Sequence, residues 1–190
     1  IQAPSEADAQ MAFIVEKGDA WAAATTDVDP LLHGCPRLVT NLTLSQRRRL
    51  PSGKIVNITP ELIELKDVLS NLGLNQDQLI ALSILVGTDY NEGIERVGPK
   101  TALKLVKQHH DFDKLFKEVK ADFNWKKIYA IFKSMPIMKN YQLKWNELDV
   151  EKVKKILIDK HDFSEERVNS NLRKTEKKID KAQKGLGEFF

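Results

Sequence analysis

The chain has 190 residues, of which 42% are hydrophobic and 30% charged, with a formal net charge of +3. This is the composition of a globular protein long enough to bury a core, not of a disordered segment. A lone cysteine, Cys35, excludes an internal disulfide and points to a reducing, intracellular compartment. No apolar run is long enough to span a bilayer, so no membrane role is expected.

Ile1 rather than Met opens the chain, and Pro4-Ser5-Glu6 already reads as the entry to a helix, which suggests a start inside a larger protein. Ser5 is the expected N-cap, with Asp8 three residues on approximating a capping box. Met11, Ala12, Ile14 and Val15 recur at helical spacing until Gly18 stops the helix. Ala20-Trp21-Ala22-Ala23-Ala24 is a short apolar run with polar flanks, predicted as a buried strand. Residues 37–42 and 54–58 are predicted as further strands, joined by a basic turn containing Pro51-Ser52-Gly53. A helix followed by strands in this order implies an α/β sheet domain.

From Pro60 the pattern turns helical. Residues 61–72 read as one amphipathic helix. Asn75 is the expected cap of a helix over 76–86, with Ile80, Leu82, Ile84 and Leu85 on its apolar side. After a loop at 87–98, Pro99 opens another helix where proline is tolerated, with Ala102, Leu103, Leu105 and Val106 inward. Shorter helices are predicted near 112–119, 124–133, 146–158 and 164–181, with an exposed tail beyond 181.

Charge is unevenly placed. Residues 1–30 carry Glu6, Asp8, Glu16, Asp19, Asp27 and Asp29 against Lys17 alone, whereas residues 30–60 carry Arg37, Arg47, Arg48, Arg49 and Lys54 and no acid. The stretch from Arg173 to Lys184 is basic again. An acidic focus between basic tracts fits a metal centre beside a phosphate-backbone track, and solvated lysine helices fit the last stretch equally well.

Carboxylates recur where elements begin or end: Glu6 and Asp8 at a helix start, Asp27 and Asp29 after a strand, and Asp89 after an apolar helix. Carboxylate oxygens hold hard divalent cations, so these five acids in one place would make a metal site for phosphate chemistry. Alternate residues on an extended segment point the same way, so Asp27 and Asp29 can share an ion; turn chemistry before Pro30 is the plainer account. Asp8 could serve only as a cap, and Glu6 is the better ligand of the two. Asp89 stands at the wrong end of a helix for its dipole, which calls for another partner. Gly93-Ile94-Glu95-Arg96-Val97-Gly98-Pro99-Lys100 reads as a hairpin between helices whose backbone N–H groups suit a phosphate, extended by Lys100, Lys104 and Lys107. Phe189 and Phe190 close an otherwise polar tail, which suits a partner's pocket better than a core. His33, His109, His110 and His161 lack zinc-ligand spacing and receive no role.

Taken together, these residues resemble the flap endonucleases, structure-specific 5′ nucleases. Ile1–Ala9, Thr26-Asp27-Val28-Asp29 and Leu85–Asn91 are similar to that family's second, third and fourth carboxylate motifs, and Gly93–Lys100 to its helix–hairpin–helix. The resemblance implies a PIN-like (Rossmann-like) α/β nuclease core, here incomplete, over residues 1–60. A helical DNA-binding region over 61–181 and a sliding-clamp-binding tail over 182–190 would follow it. It implies Mg²⁺ at Glu6, Asp8, Asp27, Asp29 and Asp89, two ions per site, with Mn²⁺ as a substitute. It further implies K⁺ on the backbone carbonyls of Gly93, Ile94 and Val97, and duplex contacts from Gly98, Lys100 and Lys104. Gln183, Leu186, Phe189 and Phe190 are similar to the clamp-binding peptide. The short end is that of an archaeal member, which would place the protein in the cytoplasm or nucleoid. The implied substrate is flap or branched DNA, with bubbles and four-way junctions as alternatives. The family's first half, which supplies two further aspartates, the helical arch and basic residues, would come in cis or as a separate chain; without it the chain would be a DNA- and clamp-binding fragment. Arg96 stands where the hairpin usually has glycine, and Glu95 adds negative charge beside it.

Overall fold

The computed structural model describes residues 1–42, 47–144 and 147–186, the stretch 176–186 as helix backbone alone. Two compact units divide it, Ile1–Tyr141 and Gln142–Phe190.

The first unit opens on α1 (Ala7–Glu16), which buries Ala9, Ala12 and Val15 on one side and ends before Gly18. Ser5 does not cap it. Glu6 takes the N-cap position with an extended backbone, and no side chain caps the helix. Asp8 lies in the first turn.

A three-stranded sheet follows, built from β1 (Ala23–Ala24), β2 (Arg37–Thr40) and β5 (Glu61–Glu64) in the order β1-β2-β5. β1 runs parallel to β2, pairing Ala23 with Leu38, and β5 runs antiparallel to it, pairing Leu38 with Ile63. The two-residue side-chain period turns Leu38 and Ile63 to the core and leaves Leu62 half exposed. The helix expected over 61–72 is therefore split: its first four residues complete the sheet, and only α2 (Leu65–Leu72) is helical. Backbone pairing with β2 overrides the helical periodicity there. Gly73, left-handed at φ 63, closes α2.

The basic segment expected as a plain turn also contributes a strand. β3 (Arg47–Arg49) pairs antiparallel with β4 (Ile55–Asn57) as an exposed two-stranded ribbon.

The helical part of this unit holds most of the core. Asn75 caps α3 (Gln76–Val86) with a complete capping box, its side chain accepting from Gln78 N–H while Gln78 Oε1 accepts from Asn75 N–H. Ile80, Ala81, Ile84 and Leu85 of α3 are fully buried, as are Ala102 and Val106 of α4 (Pro99–Gln108) and Leu115 of α5 (Phe112–Glu118). α6 (Trp125–Ser134) adds Ile128 and Phe132, and Trp125 stacks on Phe116 at 4.8 Å. Beyond α6 the chain returns along α1. Gln10, the one buried polar residue among those described, donates to Met138 O at 3.0 Å and accepts from Met138 N–H at 2.7 Å. Tyr141 donates to Asp19 at 2.6 Å.

The second unit is a helical pair. α7 (Val150–Lys154), capped by Asp149, passes into a π-helical turn at Lys155–Asp159, shorter than the helix expected over 146–158. α8 (Glu165–Leu186) buries Val168 and Leu172 and runs past residue 181, where an exposed tail was expected. Among the described residues, no helix is long and apolar enough to cross a membrane.

Candidate metal centre and phosphate-facing hairpin

Three distant segments bring their acids into one neighbourhood. Glu6 and Asp8 enter with the start of α1, Asp27 and Asp29 follow β1, and Asp89 follows α3. The electrostatic consequence is direct. Burial, then the charges of Asp27, Asp89, Asp8 and Glu6, push the Asp29 carboxyl up to about 6. Asp8 is also raised, by burial first and then by Asp27, Glu6 and Asp89, against an opposing pull from His33. None of the described ion pairs neutralises any of the five acids.

Local geometry explains each placement. Asp27 Oδ1 accepts from Asp29 N–H at 3.2 Å, so the turn chemistry expected before Pro30 does occur and launches the 3₁₀ turn Asp29–Leu31. That bond uses one oxygen of Asp27; a carboxylate keeps further acceptor positions. Asp89 sits in a turn closed by Thr88 N–H to Asn91 O at 2.9 Å and Asn91 N–H to Thr88 O at 3.1 Å. Asn91 Nδ2 ties the turn back to Ile84 O on α3 at 2.8 Å.

Two neighbours were not assigned roles from sequence. Tyr90 donates its hydroxyl to Glu6 Oε1 across 84 residues of chain, and its ring meets Phe132 edge-on at 5.7 Å. Burial and the Glu6 bond hold its proton far above the ordinary phenol range. His33 Nδ1 bonds Phe132 O at 3.2 Å, which makes Nδ1 the donor and Nε2 the acceptor, and burial lowers its pKa. Nε2 is buried with no hydrogen-bond partner among the described residues. The only hint in the sequence was the adjacency of Tyr90 to Asp89; nothing marked His33.

The donor set fits a hard divalent cation in kind: carboxylate oxygens that take part in none of the described ion pairs, with the carboxyls of Asp8 and Asp29 raised in a way that a bound cation would reverse. Among the described residues, however, no three side chains stand close enough to enclose an ion. Charge converges here without a preformed coordination shell.

The hairpin after Asp89 is held to α3 by Ile94 N–H on Leu85 O at 2.8 Å. Only glycine suits position 93, at φ +84, since a Cβ would lie 2.3 Å from Val86 O. Arg96 adopts the left-handed conformation expected of a glycine there, at φ 64, and pairs with Glu95 on the surface at 3.4 Å. Ile94 O accepts from Val97 N–H at 3.0 Å. Gly98 is the N-cap of α4 with no side-chain cap, so the N–H groups of Lys100 and Thr101 have no intrahelical acceptor. Lys100 and Lys104 are exposed on the same helix. Gln183 and Leu186 fall within the bounds of α8, whereas Phe189 and Phe190 lie outside the described residues.

Comparison with known proteins extends this picture. The XPG I-region family model matches residues 1–89. Flap endonuclease 1 of Hyperthermus butylicus is 50% identical over 182 residues, covering 93% of this chain and 52% of that protein. The solved flap endonuclease-1 from Methanococcus jannaschii superposes with a TM-score of 0.77 at 37% identity, covering 92% of this chain and 51% of that one. The catalytic core of Rad2 in complex with DNA substrate shares the fold at a TM-score of 0.69 and 18% identity. The chain spans about half the length of the curated relatives it matches.

Proposed function

Because the chain belongs to the flap endonuclease family, we propose that it carries the acidic centre and the duplex grip of a structure-specific nuclease, which hydrolyses phosphodiesters where a 5′ flap meets duplex DNA. Its α/β architecture is the PIN-like core of that family, followed by helices. The observation that carries the proposal is the convergence of Glu6, Asp8, Asp27, Asp29 and Asp89 from three segments, whose charges add to burial in raising the carboxyls of Asp8 and Asp29.

In this reading Glu6, Asp27 and Asp29 hold Mg²⁺, or Mn²⁺ in its place, and Asp8 and Asp89 act directly or through bound waters. When bound, the ions would supply Lewis acidity to the phosphate and a more acidic attacking water. The chain's own residues keep Asp8 and Asp29 partly buried beside the exposed Glu6, Asp27 and Asp89, and fix Asp89 by the Thr88–Asn91 turn. The hairpin offers backbone groups to phosphate, with K⁺ on the carbonyls of Gly93, Ile94 and Val97, while Gly98, Lys100 and Lys104 grip the downstream duplex without reading bases. Residues 1–60 serve as the core part, with the strand Glu61–Glu64 continuing their sheet; 61–181 serve DNA binding; and 182–190, through Gln183, Leu186, Phe189 and Phe190, serve a replication sliding clamp. The setting is DNA replication and repair inside the cell.

Asp29→Ala is expected to abolish flap cleavage while leaving flap binding intact; retained turnover would remove Asp29 from the chemistry. Lys100→Glu is expected to weaken binding and lower its salt slope by about one. A second reading draws on the half-length match: the chain binds branched DNA and the clamp, and cuts only with the relatives' remaining region supplied in cis or as a separate chain. Cleavage assays with and without that region separate the two.

A further inference from the structure

We propose that Tyr90 is a positioning residue that sets the orientation of Glu6, an inference resting on the reading of the acidic centre as a cation site. Its hydroxyl donates to Glu6 Oε1 and so joins the start of α1 to the turn that carries Asp89.

Each part of the path from core to carboxylate is held. The turn around Tyr90 is closed at both backbone bonds between Thr88 and Asn91, and Thr88 Oγ1 donates to Asn91 Oδ1 at 2.8 Å while accepting from Tyr90 N–H at 3.2 Å. Asn91 anchors that turn to the carbonyl of Ile84, itself fully buried. The Tyr90 ring rests edge-on against Phe132, 5% exposed, so the side chain has a floor as well as a fixed root. Its phenol is consequently presented from a rigid base.

Glu6 has no such support of its own. It stands outside the helix as N-cap with extended backbone, and its carboxylate caps no N–H group. A glutamate there has three side-chain torsions to order, and neighbouring carboxylates repel it. The phenol bond occupies one acceptor position on Oε1, withdraws some of its charge, and leaves Oε2 for the centre. Outer partners of this kind orient a ligand without touching the ion.

The test counts free Mn²⁺ by electron paramagnetic resonance during titration of the full chain. Tyr90→Phe keeps the ring on Phe132 and removes only the hydroxyl. It is expected to weaken Mn²⁺ binding about tenfold with the thermal unfolding midpoint unchanged. Glu6→Ala weakens binding too, and Tyr90→Phe added to it is expected to bring no further loss, because the hydroxyl then has nothing to orient. Equal affinity of Y90F and the unsubstituted chain overturns the inference, as does a double variant whose two losses multiply. A Y90F chain that loses its unfolding midpoint together with its affinity identifies a packing role and also overturns it. Absence of Mn²⁺ uptake by the unsubstituted chain overturns the cation reading itself, which distinguishes that failure from the failure of Tyr90 alone.

Discussion

Around α3 the side chains of Ile80, Ile84, Leu85, Val106 and Leu115 are fully buried, while among the acids Glu6, Asp27 and Asp89 stand exposed and their charges help to raise the carboxyls of Asp8 and Asp29. The helical frame gains stability from each contact, whereas the acids gain nothing from being neighbours. The difference sets the proposed site apart from its frame. A folded chain tolerates a repelling cluster only where a stable frame holds it, and the Asp89 turn is tied to that frame through Asn91 and Ile84. The hairpin behind it is anchored in the same way, by Ile94 on Leu85.

The comparison is most sharply tested from the frame. Ile84→Ala would leave a cavity at a fully buried position in the core and is expected to cost about 4 kcal/mol in urea unfolding. A loss under about 1 kcal/mol would mean that α3 is not the support described. Gly93→Ala comes next. Its Cβ would collide with Val86 O in a left-handed backbone, so a loss of about 3 kcal/mol is expected, together with weaker duplex binding. Gln10→Leu would strip both polar groups of Met138 of their partner, for a loss of about 2 kcal/mol and faster proteolysis between residues 135 and 141.

How far the sequence foretold this division follows from the range of the forces involved. α3 was readable to the residue because its signals are local: Asn75 and Gln78 form the box and the apolar residues repeat every turn. The strand Glu61–Glu64 was not, since its reason is the register against Arg37–Thr40 more than twenty residues earlier. Arg47–Arg49 was hidden for a related cause, because three adjacent arginines carry no alternation and take strand form only through Ile55–Asn57. In the acidic centre the carboxylates could be picked out by type and position at element ends. Tyr90 and His33 could not, because the Glu6 hydroxyl bond and the Phe132 carbonyl bond join residues far apart in the chain.

The smallest expected effect tests the acidic side of the comparison alone. Folded Asp29 keeps its proton to about pH 6, against an ordinary aspartate value of 3.8. Between those values the folded state binds more protons than the unfolded one, so stability falls as pH rises through the interval, and the penalty is complete above it. Asp29→Asn removes the charge but not the side chain's bulk. It is expected to raise stability at pH 7.5 by about 1 kcal/mol, a figure reduced for solvent screening at a partly exposed site, and to change nothing at pH 3.5. A saturating divalent cation should stabilise the unsubstituted chain at pH 7.5 more than the variant, since binding to the folded state alone is linked to its population. The curves are read by urea unfolding at each pH. A gain independent of pH would assign Asp29 to packing, and the acidic centre would then be stable for the same reasons as the helices beneath it.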